Sequence, residues 1–410
     1  MQNTMVSEIL RAPIKKPGFF GLSELHKFFT TDVETTFESK SNCQLVLDFS
    51  DVIYWDISAL LWMVIALHHF QQRSSSESKN LHFKLRLPQP ATDATDIHQL
   101  SNRDRDLLKS ADYLRRWRFV EALRNLADDP EELLVASQKG YFDIEPRYYY
   151  PRMVAGPSGL IEQLISVRLV EIRNLVDFSI APQSRQIRRE LVETRLREFI
   201  DRAVAPIFSN QCGIDMDVAN MFVTHLLLEG LSNALQHPNA TIGMFSISRI
   251  GPDKLVLVIV DNGESLCKTI YEHYRRSQGN KVSQLPFTYP GRQLDATIRR
   301  DLVVHATQEG VSRKWLSSEA DWQELALNPV MKRQVEIGVG LTHIRDATVG
   351  DFKGNLVIAT EGVSVIFNTI SKNSQRECEF QVFDFPWHGN LLRIQIPAKD
   401  KSLSKVPSSG

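Results

Sequence analysis

Phe222-Val-Thr-His-Leu-Leu-Leu-Glu-Gly-Leu-Ser-Asn-Ala-Leu-Gln-His237 is the stretch on which the reading of the chain turns. Apolar residues recur at helical spacing through Phe222, Leu226, Leu227, Leu231 and Leu235, with Gly230 the only interruption, so the pattern predicts a helix. Glu229, Asn233 and His237 succeed one another at four-residue steps and therefore project from one face. That face continues the line from Phe222 through Leu226, so a carboxylate and an amide stand where an apolar row should run on. Buried polar groups cost free energy unless something satisfies them, and a hydrated metal ion carrying a phosphate chain is a candidate. Taken alone, the stretch is better read as a helix whose last two turns face water. The residues downstream of His237 change that weighing.

Two β-rich runs come next, Ala240-Thr-Ile-Gly-Met-Phe-Ser-Ile-Ser248 and Lys254-Leu-Val-Leu-Val-Ile-Val-Asp-Asn-Gly263, joined by the turn signal Gly251-Pro-Asp. The second leads into Asp261-Asn-Gly-Glu-Ser265. Farther on, Glu336-Ile-Gly-Val-Gly-Leu-Thr-His-Ile344 gives a loop, Gly338-x-Gly340-Leu341, that enters a helix, and its free N–H groups suit phosphate. Each element is weak alone, since Asp-Asn-Gly is also a common turn. Their order is harder to obtain by chance: a helix with Glu-x-x-x-Asn, a strand with Asp-x-Gly, a loop with Gly-x-Gly-Leu, then terminal strands.

This series resembles the GHKL ATPase superfamily, the Bergerat fold of gyrase B subunits, histidine kinases, MutL proteins and anti-sigma-factor serine kinases, over residues 183–398. The resemblance implies an α/β two-layer sandwich, a mixed sheet covered by helices, with a long ATP lid over 264–337. It implies ATP and Mg²⁺ as cofactors, with Asn233 coordinating the metal and Glu229 positioning or deprotonating the attacking water. Asp261 would accept the adenine amino hydrogen, Gly263 would let the base approach, and Gly338, Gly340 and Leu341 would form the phosphate loop. Phe385-Pro-Trp-His-Gly-Asn-Leu-Leu-Arg-Ile-Gln-Ile-Pro397 resembles the closing Gly-Thr turn and strand, at Gly389-Asn390. The sequence departs from the pattern at Ser265, where a second Gly is usual, and at Asn390, where Thr is usual. The lid holds a predicted helix over 294–307 whose Arg299 and Arg300 could close over the γ-phosphate, although a solvated charged face is the simpler reading of either.

The N-terminal part carries a different pattern. Gln44-Leu-Val-Leu-Asp-Phe49 reads as a strand, Asp51 to Trp55 as its continuation past a turn, and Ile57 to Gln72 as a helix capped near Asp56 or Ser58. Leu81-His-Phe-Lys-Leu-Arg-Leu87 alternates and Pro88 stops it, which completes a β–α–β unit with a parallel pair. A second helix is expected over 101–123; in Arg115-Arg-Trp-Arg-Phe119, Leu114, Trp117 and Phe119 mark the core face and the arginines the solvated one. Leu45-Val-Leu-Asp-Phe-Ser-Asp-Val and Trp55-Asp-Ile-Ser-Ala-Leu60 resemble a STAS-like domain of the anti-sigma-factor-antagonist type over 36–125. The family's phospho-accepting Ser position holds Ile57 here, with Ser58 at the second Ser position, so a packing or protein-contact module is the expectation.

The expected organisation is an arm over 1–35, the STAS-like domain, a connector over 126–180, the ATPase-like domain over 181–400 and a disordered tail over 401–410. At 410 residues, two domains are the prior. A formal charge of −1 lacks the basic excess of a general nucleic-acid binder. Cys43, Cys212, Cys267 and Cys378 form no CxxC pair, which argues against a cysteine metal cluster or a disulfide framework. The longest apolar run, Ile57 to Phe70, falls short of the ~18 residues of a membrane helix, and no leader pattern begins the chain. A cytoplasmic and, from the STAS–GHKL pairing, bacterial signalling protein is the expectation. It would bind Mg²⁺-ATP, hydrolyse it, and work through a protein partner or a homodimer. The alternatives are a protein serine kinase of the anti-sigma-factor type and a non-catalytic ATP-binding regulator.

Overall fold

The computed structural model describes residues 7–15, 17–91, 99–117, 119–123, 126–127, 129–142, 194, 226–227, 229–236, 242–250, 254–278, 288–308, 340–368, 379–382 and 389–397. Several expectations lie outside these residues: Phe222, His237, Gly338, the turn at 251–253, most of the connector and the tail. The chain divides into two compact units, Met1–Ser166 with Phe383–Trp387, and Val167–Val382 with His388–Gly410.

The first unit is built on a parallel sheet of order β1 (Ser7–Arg11), β3 (Asn42–Asp48), β5 (Asn80–Arg86). The parallel β3–β5 pair is the β–α–β unit read from sequence, and β1 adds a third strand from the supposed arm. β2 (Phe19–Phe20) pairs in parallel with β4 (Tyr54–Trp55) in a separate small sheet. Tyr54–Trp55 is thus not a continuation of β3; backbone bonds from Ile53 and Tyr54 to Gly18 draw it to the N-terminal segment. Helices α1 (Leu22–Lys27) and α2 (Glu34–Ser39), joined through Phe28–Val33, lead into β3.

Helix α3 (Ile57–Ser76) starts at Asp56, whose side chain accepts from the Ser58 N–H at 2.7 Å. Every residue from Ile57 to Leu67 is buried, so this part of the helix is covered all round, which accounts for its lack of an apolar stripe. Phe20, Phe28, Phe37, Phe49 and Phe70 fill the core around it, with Phe20 edge-on to Phe49 at 5.3 Å and Phe37 edge-on to Phe70 at the same distance. Among the described residues no helix is long and apolar enough to cross a membrane.

The second predicted helix is divided into α4 (Asn102–Arg116), capped by Ser101, and α5 (Phe119–Ala122). Leu114, Trp117 and Phe119 are buried as expected, but Arg115 is buried too. Its guanidinium pairs with Asp112 at 2.6 Å, donates to the Tyr141 carbonyl at 2.7 Å and lies over the Tyr141 ring at 4.2 Å. The solvated-face reading fails there because a buried carboxylate, a carbonyl and a ring satisfy the charge. Residues 129–142, expected in the connector, pack on this unit: Gln138 accepts from the Leu87 N–H at 2.8 Å and donates to the Leu87 carbonyl at 2.6 Å.

The second unit holds α6 (Glu229–Gln236), a hairpin of β6 (Gly243–Ile250) and β7 (Lys254–Asp261), then α7 (Leu266–Gln278), α8 (Ala296–Ala306) and α9 (Gly340–Arg345). It continues with β8 (Asn355–Thr360), β9 (Val363–Phe367), β10 (Glu379–Val382) and β11 (Asn390–Pro397). The six strands form one sheet of order β10-β9-β8-β11-β7-β6. Among the described residues every pairing in this sheet is antiparallel, where a mixed sheet was expected: β6–β7 and β8–β9 are hairpins, and β11 runs opposite to both strands it separates. All of β7 after Lys254 is buried, which covers both faces of that strand.

Candidate functional site

The register of the sheet sets the site. Asp261 on β7 stands opposite Asn390 on β11, and Asn390 stands opposite Thr360 on β8. Residues directly paired point to the same face, so a carboxylate, an amide and a hydroxyl form one cross-strand row at the end of three neighbouring strands. The Asn390 amide ties the row together. Its Nδ2 donates to Asp261 Oδ1 and to the Glu264 carbonyl, both at 3.0 Å. Its Oδ1 accepts from the Thr360 hydroxyl at 2.9 Å and the Leu266 N–H at 2.8 Å.

A threonine hydroxyl, with one hydrogen, could not donate to Asp261 and Glu264 together. Asn390 does so, and the hydroxyl in the row comes from Thr360, one strand over. Gly389 enters β11 at φ +131°, and a Cβ there would stand 2.4 Å from the Asp261 carbonyl oxygen, so only glycine lets the chain come this close.

Asp261 Oδ1 also accepts from the Gly263 N–H at 2.9 Å, closing an Asx turn directly after the strand. Ser265, the departure from the double-glycine pattern, has a local reason. Its Oγ accepts from the Lys268 N–H at 3.1 Å and its carbonyl from the Thr269 N–H, so it caps α7, a position that favours serine.

Helix α6 reaches the same end of the sheet through Gly230. A Cβ at Gly230 would press on Ile259 Cδ1 at 2.3 Å and stand 3.4 Å from Leu392 Cδ2. Ile259 and Leu392 are a cross-strand pair two residues from Asp261 and Asn390 respectively. The missing side chain therefore seats the Glu229 turn of the helix on the row's own face of the sheet. Glu229 and Asn233 are both half-buried, while Gly230, Leu231 and Ala234 are buried. Helix α9, which begins at Gly340 and carries half-buried Leu341, packs against α6. Segments far apart in sequence, those carrying Glu229 and Asn233, Asp261 and Gly263, Gly340 and Leu341, and Gly389 and Asn390, thus adjoin one another.

Two residues that sequence reading passes over, Thr360 and Glu361, belong to this neighbourhood. Glu361 and Gly362 form the two-residue turn between β8 and β9, with φ of 43° and 82°, both in the left-handed region. Glu361 is only 3% exposed. Its Oε2 accepts from Ser265 Oγ at 2.5 Å and from the Tyr289 hydroxyl at 2.7 Å, and its carbonyl accepts from Arg299 Nη1. Burial above all raises the Tyr289 phenol and the Cys267 thiol well beyond their ordinary values, with the Glu361 carboxylate adding to both shifts. Both therefore stay neutral, and each donates: Tyr289 to Glu361, and Cys267 Sγ to the Arg299 carbonyl at 3.5 Å.

Arg299 is consequently a buried residue of α8 committed to the β8–β9 turn and not a cation held ready for a phosphate. Arg300 pairs with Asp301 at 2.6 Å and lies over the Phe380 ring at 5.0 Å. Among the described residues no group of three His, Cys, Asp or Glu side chains could hold a metal ion. No protein-family model matches the chain, and no curated protein matches it.

Proposed function

We propose that this chain is a Mg²⁺-ATP-binding switch protein of the GHKL type that hydrolyses ATP, with nucleotide occupancy coupled to the STAS-like N-terminal unit. The observation that carries the reading is the close approach at Gly230. It brings the helix bearing Glu229 and Asn233 onto β7, which ends in Asp261, and β11, which begins at Asn390, and this arrangement supports the reading of a nucleotide clamp.

The donor set also fits the metal. Mg²⁺ retains waters and is commonly held by a nucleotide's phosphate oxygens plus one or two protein oxygens, so a single half-buried amide, Asn233, suits an ion that arrives with the nucleotide. When bound, the ion offsets phosphate charge. Glu229, one turn away on the same helix face, would hold the attacking water and take its proton, a role worth roughly 10²–10⁴-fold. Asp261, its Oδ1 held by Gly263 and Asn390, would read the adenine amino group. Work through a protein partner or a second copy belongs to the same proposal.

The test is calorimetric titration of Mg²⁺-ATP into the full chain with phosphate release measured on the same sample. Asn233→Ala is expected to abolish binding, and Glu229→Ala to keep binding while losing turnover. Undiminished affinity in Asn233→Ala would sink the assignment. One observation bears on the serine-kinase alternative in its intramolecular form: Ser58 is fully buried in α3, so transfer to it would require that helix to open.

A further inference from the structure

We infer that Glu361 is a positioning residue: a buried carboxylate that clamps α7 and α8 onto the end of the sheet and thereby fixes the Asp261–Asn390–Thr360 row. The link to the nucleotide rests on the proposed ATP site; the clamp itself does not. Turn residues of a β-hairpin ordinarily face water, and a non-glycine residue at positive φ carries backbone strain. Glu361 has both features against it, yet its side chain points inward.

What it meets there explains the placement. One oxygen accepts hydroxyls from two segments distant in sequence, Ser265 at the start of α7 and Tyr289 before α8. Its carbonyl accepts from Arg299, a residue of α8 itself. Three points on the 265–299 stretch therefore converge on one turn residue.

The same turn residue comes directly after Thr360. Thr360 donates to Asn390, which donates to Asp261, and the Leu266 N–H next to Ser265 returns to Asn390 Oδ1. The hydrogen bonds and the chain links Glu361–Thr360 and Ser265–Leu266 close a loop through Asn390, and the bond to the Asp261 carboxylate branches from that residue. Loosening Glu361 should free Ser265 and Leu266 together, remove one of the bonds that orient Asn390, and release Asp261 from its fixed pose. Buried groups deprived of a partner are costly, and two hydroxyls losing their shared acceptor at once should matter on the scale of about tenfold in a local equilibrium.

The experiment is amide hydrogen exchange on the full-length chain with and without Mg²⁺-ATP, together with nucleotide affinity, for wild type, Glu361→Ala, Glu361→Gln and Tyr289→Phe. In Glu361→Ala, exchange across 266–278 and 296–306 is expected to rise about tenfold while 254–261 and 390–397 keep their protection, and affinity for Mg²⁺-ATP to fall about tenfold. Glu361→Gln, which keeps an acceptor oxygen at the same place, should restore most of both. Tyr289→Phe should show a smaller rise in the same two helices, and it carries the test if Glu361→Ala does not fold. Unchanged exchange in both helices overturns the clamp. Raised exchange with unaltered nucleotide affinity overturns its positioning role. If the wild-type chain binds no nucleotide, the ATP-site proposal fails, and the exchange measurement alone decides the clamp.

Discussion

A methyl group added at Gly389 would meet the carbonyl oxygen of Asp261 at 2.4 Å, and the residue's φ of +131° lies where side chains are rarely tolerated. Both obstacles are backbone, so no rotamer change relieves them. Gly389→Ala is expected to destabilise the second unit by roughly 2–6 kcal/mol, combining backbone strain with overpacking, and to displace Asp261. Chemical denaturation monitored by far-UV circular dichroism would measure it, and a loss below about 0.5 kcal/mol would refute the close approach.

At this scale the sequence is informative where a motif needs one residue type for a backbone reason. Gly389 is legible in that way, and it occupies a tight approach beside Asp261. Glu361 is invisible for the opposite reason. Glu-Gly between two apolar runs reads as an exposed hairpin tip, and only the tertiary positions of Ser265, Tyr289 and Arg299 turn its carboxylate inward.

Elements are legible in proportion to the length and regularity of their patterns. The β3–α3–β5 unit is marked by a continuous apolar run, a cap at Asp56 and a stop at Pro88, and it forms with a parallel pair. β1, of five residues with Glu8 and Arg11 among them, and β2 and β4, of two residues each, are too short for periodicity to register. Helix α7 lies concealed inside a segment that reads as a lid. Its signal is the Ser265 cap before Leu266, Cys267, Ile270 and Tyr271, all buried on one face. At α3 the cap is a testable element-level term: Asp56→Ala removes the acceptor of the Ser58 N–H and should cost about 0.5–2 kcal/mol in the first unit's unfolding free energy. A denaturant midpoint identical to wild type would contradict it.

For the molecule as a whole, two units with separate cores imply separate responses to solution conditions. His26 in the first unit is 3% exposed, packs edge-on against Trp62 at 5.1 Å, and is pushed by burial to a pKa of about 3 from an ordinary 6.5. Because the folded value is the lower one, the fold holds the neutral ring. The contribution is fully present above pH 6.5 and is lost as pH falls from there toward 3, with a slope approaching about 1.4 kcal/mol per pH unit. Urea titrations monitored by tryptophan fluorescence at pH 7.5 and 5 should show the wild type losing more stability on acidification than His26→Leu. Parallel losses in the two chains would rule out His26 as the acid-sensitive group. The antiparallel order of the second unit's sheet is the whole-molecule feature that local pattern could not reveal, because hairpins are read from neighbours whereas the insertion of β11 depends on contacts across the whole unit.

That insertion bears on biosynthesis. β11 is the last described strand in the sequence yet lies between β7 and β8, so a nascent chain emerging from the ribosome has β6–β7 and β8–β9 as two hairpins with no strand to join them. The parallel sheet of the first unit can be complete while translation continues, because its strands lie within the first 86 residues. The second unit's sheet closes only after Pro397 has cleared the exit tunnel. A premature stop before Asn390 would therefore leave the inner edges of β7 and β8 as bare apolar templates for aggregation, open to chaperones and proteases alike.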